Sequence, residues 1–293
     1  MPVKQKVLIV GYGEMGHAFE TILQSNHTVT IWNRTPMENQ NNVSLESLVS
    51  EVDVIIFSLP VTALSHIIKQ TTPFIPSATL CITIAKGLDD KGQTAAEIFQ
   101  TNLTNYALIY GPMISEELCK KQMGFAQFYS HQSRAVDSLE KLFKDTNLLL
   151  QKTDDIVGIS WSVILKNIYA LSFGMIDELE LGKNLYGFLM VTALNEIGSI
   201  IHYLGGNQNS SFGLAGLGDL ITTASSEDSR HHALGRQIAQ GNFKELNAEG
   251  IHTLLMIQNF NRFPANNYPF LTLIMKIIHQ EIDITNGLKT LYT

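Results

Sequence analysis

Val7-Leu8-Ile9-Val10-Gly11-Tyr12-Gly13-Glu14-Met15-Gly16 decides how the rest of the chain is read. Four apolar residues, three of them β-branched, make a short strand that needs cover on both faces. Glycines then follow in the spacing G-x-G-x-x-G, and a helical pattern begins at once. In that strand-turn-helix setting each glycine has a task. Gly11 permits the tight turn, Gly13 lets a pyrophosphate approach the backbone, and Gly16 lets the helix close on the strand. Glu14 and Met15 lie between them, with their amides in the first turn. A plain strand-to-helix turn is the competing explanation; the expected reading is a dinucleotide site.

Outward from this stretch the same alternation continues. Val29–Trp32, Val54–Ser58, Leu80–Ile84 and Ala107–Tyr110 are apolar runs separated by helical segments, which predicts a parallel sheet covered by helices on both faces. Gly124–Phe128 and Leu148–Gln151 are expected to extend it. About twenty residues after Gly13 the second strand ends in Asn33-Arg34-Thr35, where an NAD site usually carries Asp or Glu for the ribose 2′-hydroxyl. A guanidinium there suits a 2′-phosphate, so Arg34 points to NADP(H) in preference to NAD(H), unless it is an ordinary surface arginine. From about Asp155 strand-like runs vanish and helical periodicity takes over. The expected architecture is an N-terminal α/β, doubly wound parallel sheet of Rossmann type over residues 1–154. An all-α domain over residues 155–293 follows, to bind substrate and carry catalysis.

Composition narrows the function classes. Of 293 residues 45% are hydrophobic and 16% charged, less charge than a soluble domain usually carries, which is consistent with a homodimer. The formal net charge of −7 leaves no basic stripe for nucleic acid. Cys81 and Cys119 form no zinc-ligand pattern, so no metal is expected; Cys81 reads as a strand-core thiol and Cys119 as an ordinary helical residue. Ile156–Ile176 has one charge, Lys166. As a membrane span it would hold that lysine mid-bilayer at about 2.5–3.5 kcal/mol, so a buried helix of a soluble protein is the better reading.

That lysine is the first candidate for chemistry. Trp161, Ile164, Ile168, Leu171 and Met175 repeat at helical spacing as a core stripe. Lys166 lies on roughly the opposite side, among Val163, Ala170 and Phe173. An ammonium among apolar side chains is costly without a partner or a task, and desolvation brings a lysine toward acting as an acid near neutrality. The alternative is a stem along apolar surface with its head in water. Replacing Lys166 with Met is expected to leave folding intact, with some gain from no longer burying the ammonium. Lys86 stands just past the strand Leu80–Ile84, and Gly111-Pro112 just past the next. Ligands of open parallel sheets bind outside those carboxyl ends. In Gly213-Leu214-Ala215-Gly216-Leu217-Gly218-Asp219-Leu220, a helix starting at Asp219 would place Thr223 one turn away on the same face. Asp219 alone would ordinarily be a helix cap. Ser229-Arg230-His231 opens a further helical stretch, an anion site or simply an exposed basic turn.

The ordered set Ala85-Lys86-Gly87, Gly111-Pro112, Leu165-Lys166-Asn167, Gly213–Leu220, Ser229-Arg230 and Ala248-Glu249-Gly250 resembles the NAD(P)-dependent glycerol-3-phosphate dehydrogenases of bacterial type over nearly the whole chain. The resemblance implies reduction of dihydroxyacetone phosphate to sn-glycerol 3-phosphate for phospholipid synthesis, in a cytoplasm, on a small phosphorylated ketone. It also implies that Lys166 is the proton donor and acceptor. Lys86, Gly111, Asn167, Asp219 and Thr223 would line the substrate pocket, and Ser229, Arg230 and His231 would hold the phosphate. Lys86, Ser115, Arg230 and Glu249 match positions that touch the cofactor. The chain departs from the pattern in places. The family's Gly-Pro-Ser-Phe-Ala is Gly111-Pro112-Met113-Ile114-Ser115 here, and its Ser-Arg-Asn is Ser229-Arg230-His231. Two rivals remain. A β-hydroxyacid dehydrogenase or ketopantoate reductase shares the build, but hydroxyacid enzymes place Asn four residues after the lysine, and Ala170 stands there. A catalytically inactive cofactor-binding sensor would have no use for Lys86, Lys166, Asp219 and Arg230 together.

Overall fold

A computed structural model describes residues 4–35, 43–226, 229–243 and 249–291; Ala248 and the pair Glu227 and Asp228 lie outside them. The chain divides into two compact units. The first comprises Met1–Asp89 and Gln93–Asp154, the second Asp90–Gly92 and Asp155–Thr293.

Among the described residues the first unit holds seven strands: β1 (Lys6–Val10), β2 (Thr28–Trp32), β3 (Val54–Phe57), β4 (Leu80–Thr83), β5 (Tyr106–Tyr110), β6 (Gly124–Tyr129) and β7 (Leu148–Lys152). Its helices are α1 (Glu14–Leu23), α2 (Leu45–Val49), α3 (Val61–Thr71), α4 (Ala95–Asn102), α5 (Ser115–Cys119) and α6 (Ser133–Phe143). The strands form one sheet in the order β2-β1-β3-β4-β5-β6-β7. Val7 to Val10 and every residue of β3, β4 and β5 are buried, as a parallel sheet covered on both faces requires. Cys81 lies inside β4, where burial pushes its thiol up to about 12. One junction departs from the parallel arrangement of the rest: β5 and β6 run antiparallel, Ile109 opposite Phe128, while β6 and β7 are parallel. The cause is the short return. The chain between β5 and β6 carries only the five-residue α5, and Phe125 N–H already donates to the Pro112 carbonyl at 3.1 Å.

The second unit is helical: α7 (Ile156–Glu178), α8 (Lys183–Tyr203), α9 (Asp219–Ser225), α10 (Arg230–Ala239), α11 (Glu249–Asn259), α12 (Pro269–Ile278) and α13 (Ile284–Lys289). Asp155 caps α7, accepting from Gly158 N–H at 2.8 Å and from the Ser210 hydroxyl at 2.6 Å. The expected stripe on α7 is buried, but so is every other face from Gly158 to Ile176. Helices α8 to α12 all pack on α7, so Lys166 is enclosed rather than on an opposite surface. Of the most apolar stretch of α7, 89% is buried inside the protein, which answers its membrane-like composition. The Asn-rich run 259–267 is only partly a solvated loop, since Phe263 is buried within it.

Helix α8 also has the length and hydropathy of a span, yet buried Glu196 gives it another task. Its carboxylate accepts from Phe270 N–H at 2.7 Å, Leu271 N–H at 2.9 Å and the Tyr169 hydroxyl at 2.7 Å, so it caps α12 and ties three helices together. Burial lifts this carboxyl above the ordinary range despite those three donors. Glu196→Leu strands the donors and should cost on the order of 3 kcal/mol in urea unfolding. Because the folded-state pKa is raised, the wild-type contribution is fully present below the unfolded value and is lost as pH rises through the folded one. The deficit of the variant should therefore widen on acidification from pH 7 towards pH 4.

Candidate active site

In the first unit the strands β1 to β5 are parallel, so their carboxyl ends share one edge. The order reverses at β1, which lies between β2 and β3, and that switch point is where open sheets of this kind hold ligands. Gly11 adopts φ +96, and a Cβ there would meet the Ser58 carbonyl oxygen at 2.5 Å. A Cβ on Gly16 would stand 2.3 Å from the Gly11 carbonyl oxygen, whereas one on Gly13 would meet nothing within 4 Å. Two glycines therefore close the turn, and the third leaves room above the N-terminus of α1. The backbone amides of Glu14 and Met15 begin that helix, so the cradle fits the pyrophosphate of a nicotinamide dinucleotide. Arg34 is exposed just beyond β2.

At the same edge, half-buried Lys86 follows β4. Its path is held by the Tyr110 hydroxyl, which donates to the Ala85 carbonyl at 2.9 Å, and by the Thr83 hydroxyl, which accepts from Ala85 N–H at 3.1 Å. Gly111 is buried after β5, and a Cβ there would meet the Phe125 carbonyl oxygen at 2.5 Å. The structure thus gives Gly111 a packing task, closing the turn towards β6. Ser115 begins α5, and its hydroxyl donates to the Glu116 carboxylate at 3.0 Å.

In the second unit the lone cation of α7 has its partners. Lys166 is 4% exposed and Asp219 4% exposed, and Nζ lies 3.2 Å from Asp219 Oδ2. Nζ also donates to the Thr223 hydroxyl oxygen, while that hydroxyl donates to the Asp219 carbonyl at 2.7 Å. A π-helical turn, Leu214–Gly218, delivers the chain into α9, so Asp219 opens the helix and is not its cap. Aspartate and threonine stand one turn apart, as the spacing predicts, and both meet the lysine. An ammonium held by a carboxylate and an oriented hydroxyl is a defined proton donor.

The start of α10 lies in the same unit. Ser229 caps it by accepting from His232 N–H at 3.3 Å, and exposed Arg230 is its first residue. His231 packs on α11: a Cβ on Gly250 would be 3.3 Å from His231 Cδ2 and 3.0 Å from the Asn167 carbonyl oxygen. The structure therefore gathers His231, Asn167 and Gly250, with Glu249 at the first position of α11.

The sequence matches the NAD-dependent glycerol-3-phosphate dehydrogenase N-terminus over residues 36–135 and the C-terminus over residues 155–289. It is 30% identical over 240 residues to glycerol-3-phosphate dehydrogenase [NAD(P)+] of Acaryochloris marina, covering 80% of this chain and 76% of that protein. The chain belongs to the NAD-dependent glycerol-3-phosphate dehydrogenase family. The glycerol-3-phosphate dehydrogenase of Coxiella burnetii has the same fold, with TM-score 0.83 at 25% identity over 99% of each chain. A ketopantoate reductase from Ralstonia eutropha shares the fold alone, with TM-score 0.57 at 15% identity over 94% of this chain and 99% of that one. This glycerol-3-phosphate dehydrogenase homologue also carries two polar nodes that its sequence pattern does not announce, one buried and one partly exposed. One is Glu196, the single charge between Leu185 and Ile201, which the test that singled out Lys166 would have found. The other joins Asp177 to His232.

Proposed function

We propose that the chain reduces dihydroxyacetone phosphate to sn-glycerol 3-phosphate, supplying glycerophospholipid synthesis, with NADP(H) favoured over NAD(H). The observation that carries the reading is the buried contact of Lys166 with Asp219 and Thr223. The second unit is then the substrate-binding and catalytic part and the first the dinucleotide-binding part, in a cytoplasmic homodimer. Gly11, Gly13 and Gly16, with the amides of Glu14 and Met15, would hold the pyrophosphate, Arg34 the 2′-phosphate, and Lys86, Ser115, Arg230 and Glu249 would add contacts. When bound, the nicotinamide supplies the hydride that the C2 carbonyl requires.

The chain's own residues supply the proton and the charge. As the carbonyl oxygen becomes an alkoxide, Lys166 Nζ gives it a proton and is left neutral, to be reprotonated before the next turnover. Asp219 stabilises the ammonium form, and Thr223, turned by its bond to the Asp219 carbonyl, fixes where Nζ points. Lys86 and Arg230 provide the positive charge that an acidic chain needs to hold a dianionic substrate. Asn167 and His231 would line the substrate pocket beside Lys166 in the second unit, and Gly111 would shape the turn after β5 in the first.

Oxidation of NADPH with a panel of ketones tests the reading. Dihydroxyacetone phosphate should be the preferred substrate, well ahead of ketopantoate and β-keto acids. Turnover of ketopantoate alone, or binding of NADPH with no turnover of any ketone, would overturn it. The cofactor preference has its own test. Arg34→Ala should raise the dissociation constant of NADPH about tenfold, the worth of one charge-assisted contact, and leave that of NADH nearly unchanged. Equal losses for both cofactors would make Arg34 a surface residue only.

A further inference from the structure

Asp177 stands near the end of α7, and both of its carboxylate oxygens are taken by other helices. His232 Nε2 on α10 lies 2.9 Å from Oδ2, and Lys183 Nζ on α8 lies 3.0 Å from Oδ1. Burial pushes this carboxyl up, but the hydrogen bonds from His232 and Lys183 outweigh it and hold the group below the ordinary carboxylate range. A charged acceptor on a buried donor makes a strong bond, and His232 is 4% exposed. The same residue gives its backbone N–H to Ser229 Oγ. His232 therefore links the cap of α10, one residue before Arg230, to the end of α7.

The rest of the seam between these helices explains why such a link is needed. A Cβ on Gly174 would come within 2.0 Å of the His232 carbonyl oxygen, and one on Gly235 within 2.0 Å of the Leu171 carbonyl oxygen. The helices meet backbone to backbone. At these two glycines the close approach fixes the separation of the helices, while sliding and rotation of α10 depend on the side chains that flank them, His232 among them. A polar anchor at the third residue of α10 sets both.

We propose that Asp177 and His232 are a positioning pair that sets the direction of Arg230 in the substrate's phosphate site. The proposal rests on the reading that Arg230 holds the phosphate. A small misplacement of a clamp costs affinity for the group it clamps, so the effect should follow the phosphate and leave the chemistry alone.

The test is steady-state kinetics with dihydroxyacetone phosphate and with unphosphorylated dihydroxyacetone, for His232→Leu, His232→Gln, Asp177→Asn and Arg230→Leu. His232→Leu should raise KM for dihydroxyacetone phosphate about tenfold, with kcat within about twofold. Its kcat/KM for dihydroxyacetone should hardly change, and NADPH should lose at most a minor contact. His232→Gln keeps an N–H donor towards Oδ2 and should recover most of the loss. Asp177→Asn, at a half-exposed carboxylate, should shift KM the same way by a smaller factor, and it carries the test should His232→Leu not fold. A purely structural role would lower the thermal midpoint of these variants without changing the ratio of KM between the two ketones, and that result overturns the proposal. If Arg230→Leu separates the two ketones and neither His232→Leu nor Asp177→Asn does, the positioning role alone falls. If Arg230→Leu does not separate them, the underlying phosphate reading falls, and the proposal with it.

Discussion

Lys166→Met should bind NADPH normally and lose turnover by about a hundredfold to ten-thousandfold, the usual worth of a positioned general acid. Methionine keeps most of the aliphatic volume at a site that is 4% exposed, so the loss isolates the proton. Cofactor affinity should persist, because the glycine cradle belongs to the first unit. Stability is where the structure reverses the expectation from sequence. Removing an ammonium from an apolar helix should help, but Asp219 is equally buried and lies 3.2 Å from Nζ. Taking away the cation breaks a buried ion pair on one side, at a cost of about 3–5 kcal/mol. The variant should therefore melt lower than wild type, and Lys166→Met with Asp219→Asn should recover much of the difference. Thermal unfolding, NADPH fluorescence titration and turnover separate the three effects. A variant that folds, binds NADPH and turns over dihydroxyacetone phosphate at the wild-type rate would refute the mechanism, leaving Lys86 as the lysine to test.

What was legible in the sequence follows from how local each signal is. The β1–α1 turn is written in ten consecutive residues, and the burial of Val7 to Val10 follows from their composition. The direction of β6 is not written there. Alternation along Gly124–Tyr129 is the same for a parallel or an antiparallel neighbour, and only the short return through α5 decides. The site divides in the same way. Asp219 and Thr223 are one helical turn apart, so their common face was visible, whereas their contact with Lys166 joins residues more than fifty positions away. The pair of Asp177 and His232 is equally distant in sequence. Each looks like an ordinary helix-end residue, since aspartate ending an apolar helix and histidine in a first turn both have unremarkable explanations. Periodicity reports which face is buried, and partners across the core come only from packing.

Arg230→Leu should raise KM for dihydroxyacetone phosphate by about tenfold to a hundredfold, the range expected when a hydrogen-bonded charge is lost from a dianion. Unphosphorylated dihydroxyacetone, which lacks the group that Arg230 would hold, should be hardly affected, and NADPH should lose at most a minor contact. The loss has an upper bound for a structural reason. Ser229 still caps α10 after the change, so the amides of its first turn and its dipole continue to attract an anion. Folding should survive, because Arg230 is exposed at the first helical position while the burial in this turn belongs to His232. Steady-state kinetics on the two ketones decides the matter. Equal losses for both would place the phosphate away from Arg230. His231 would then be the residue to replace, because it is held against Gly250 at the start of α11, beside Asn167.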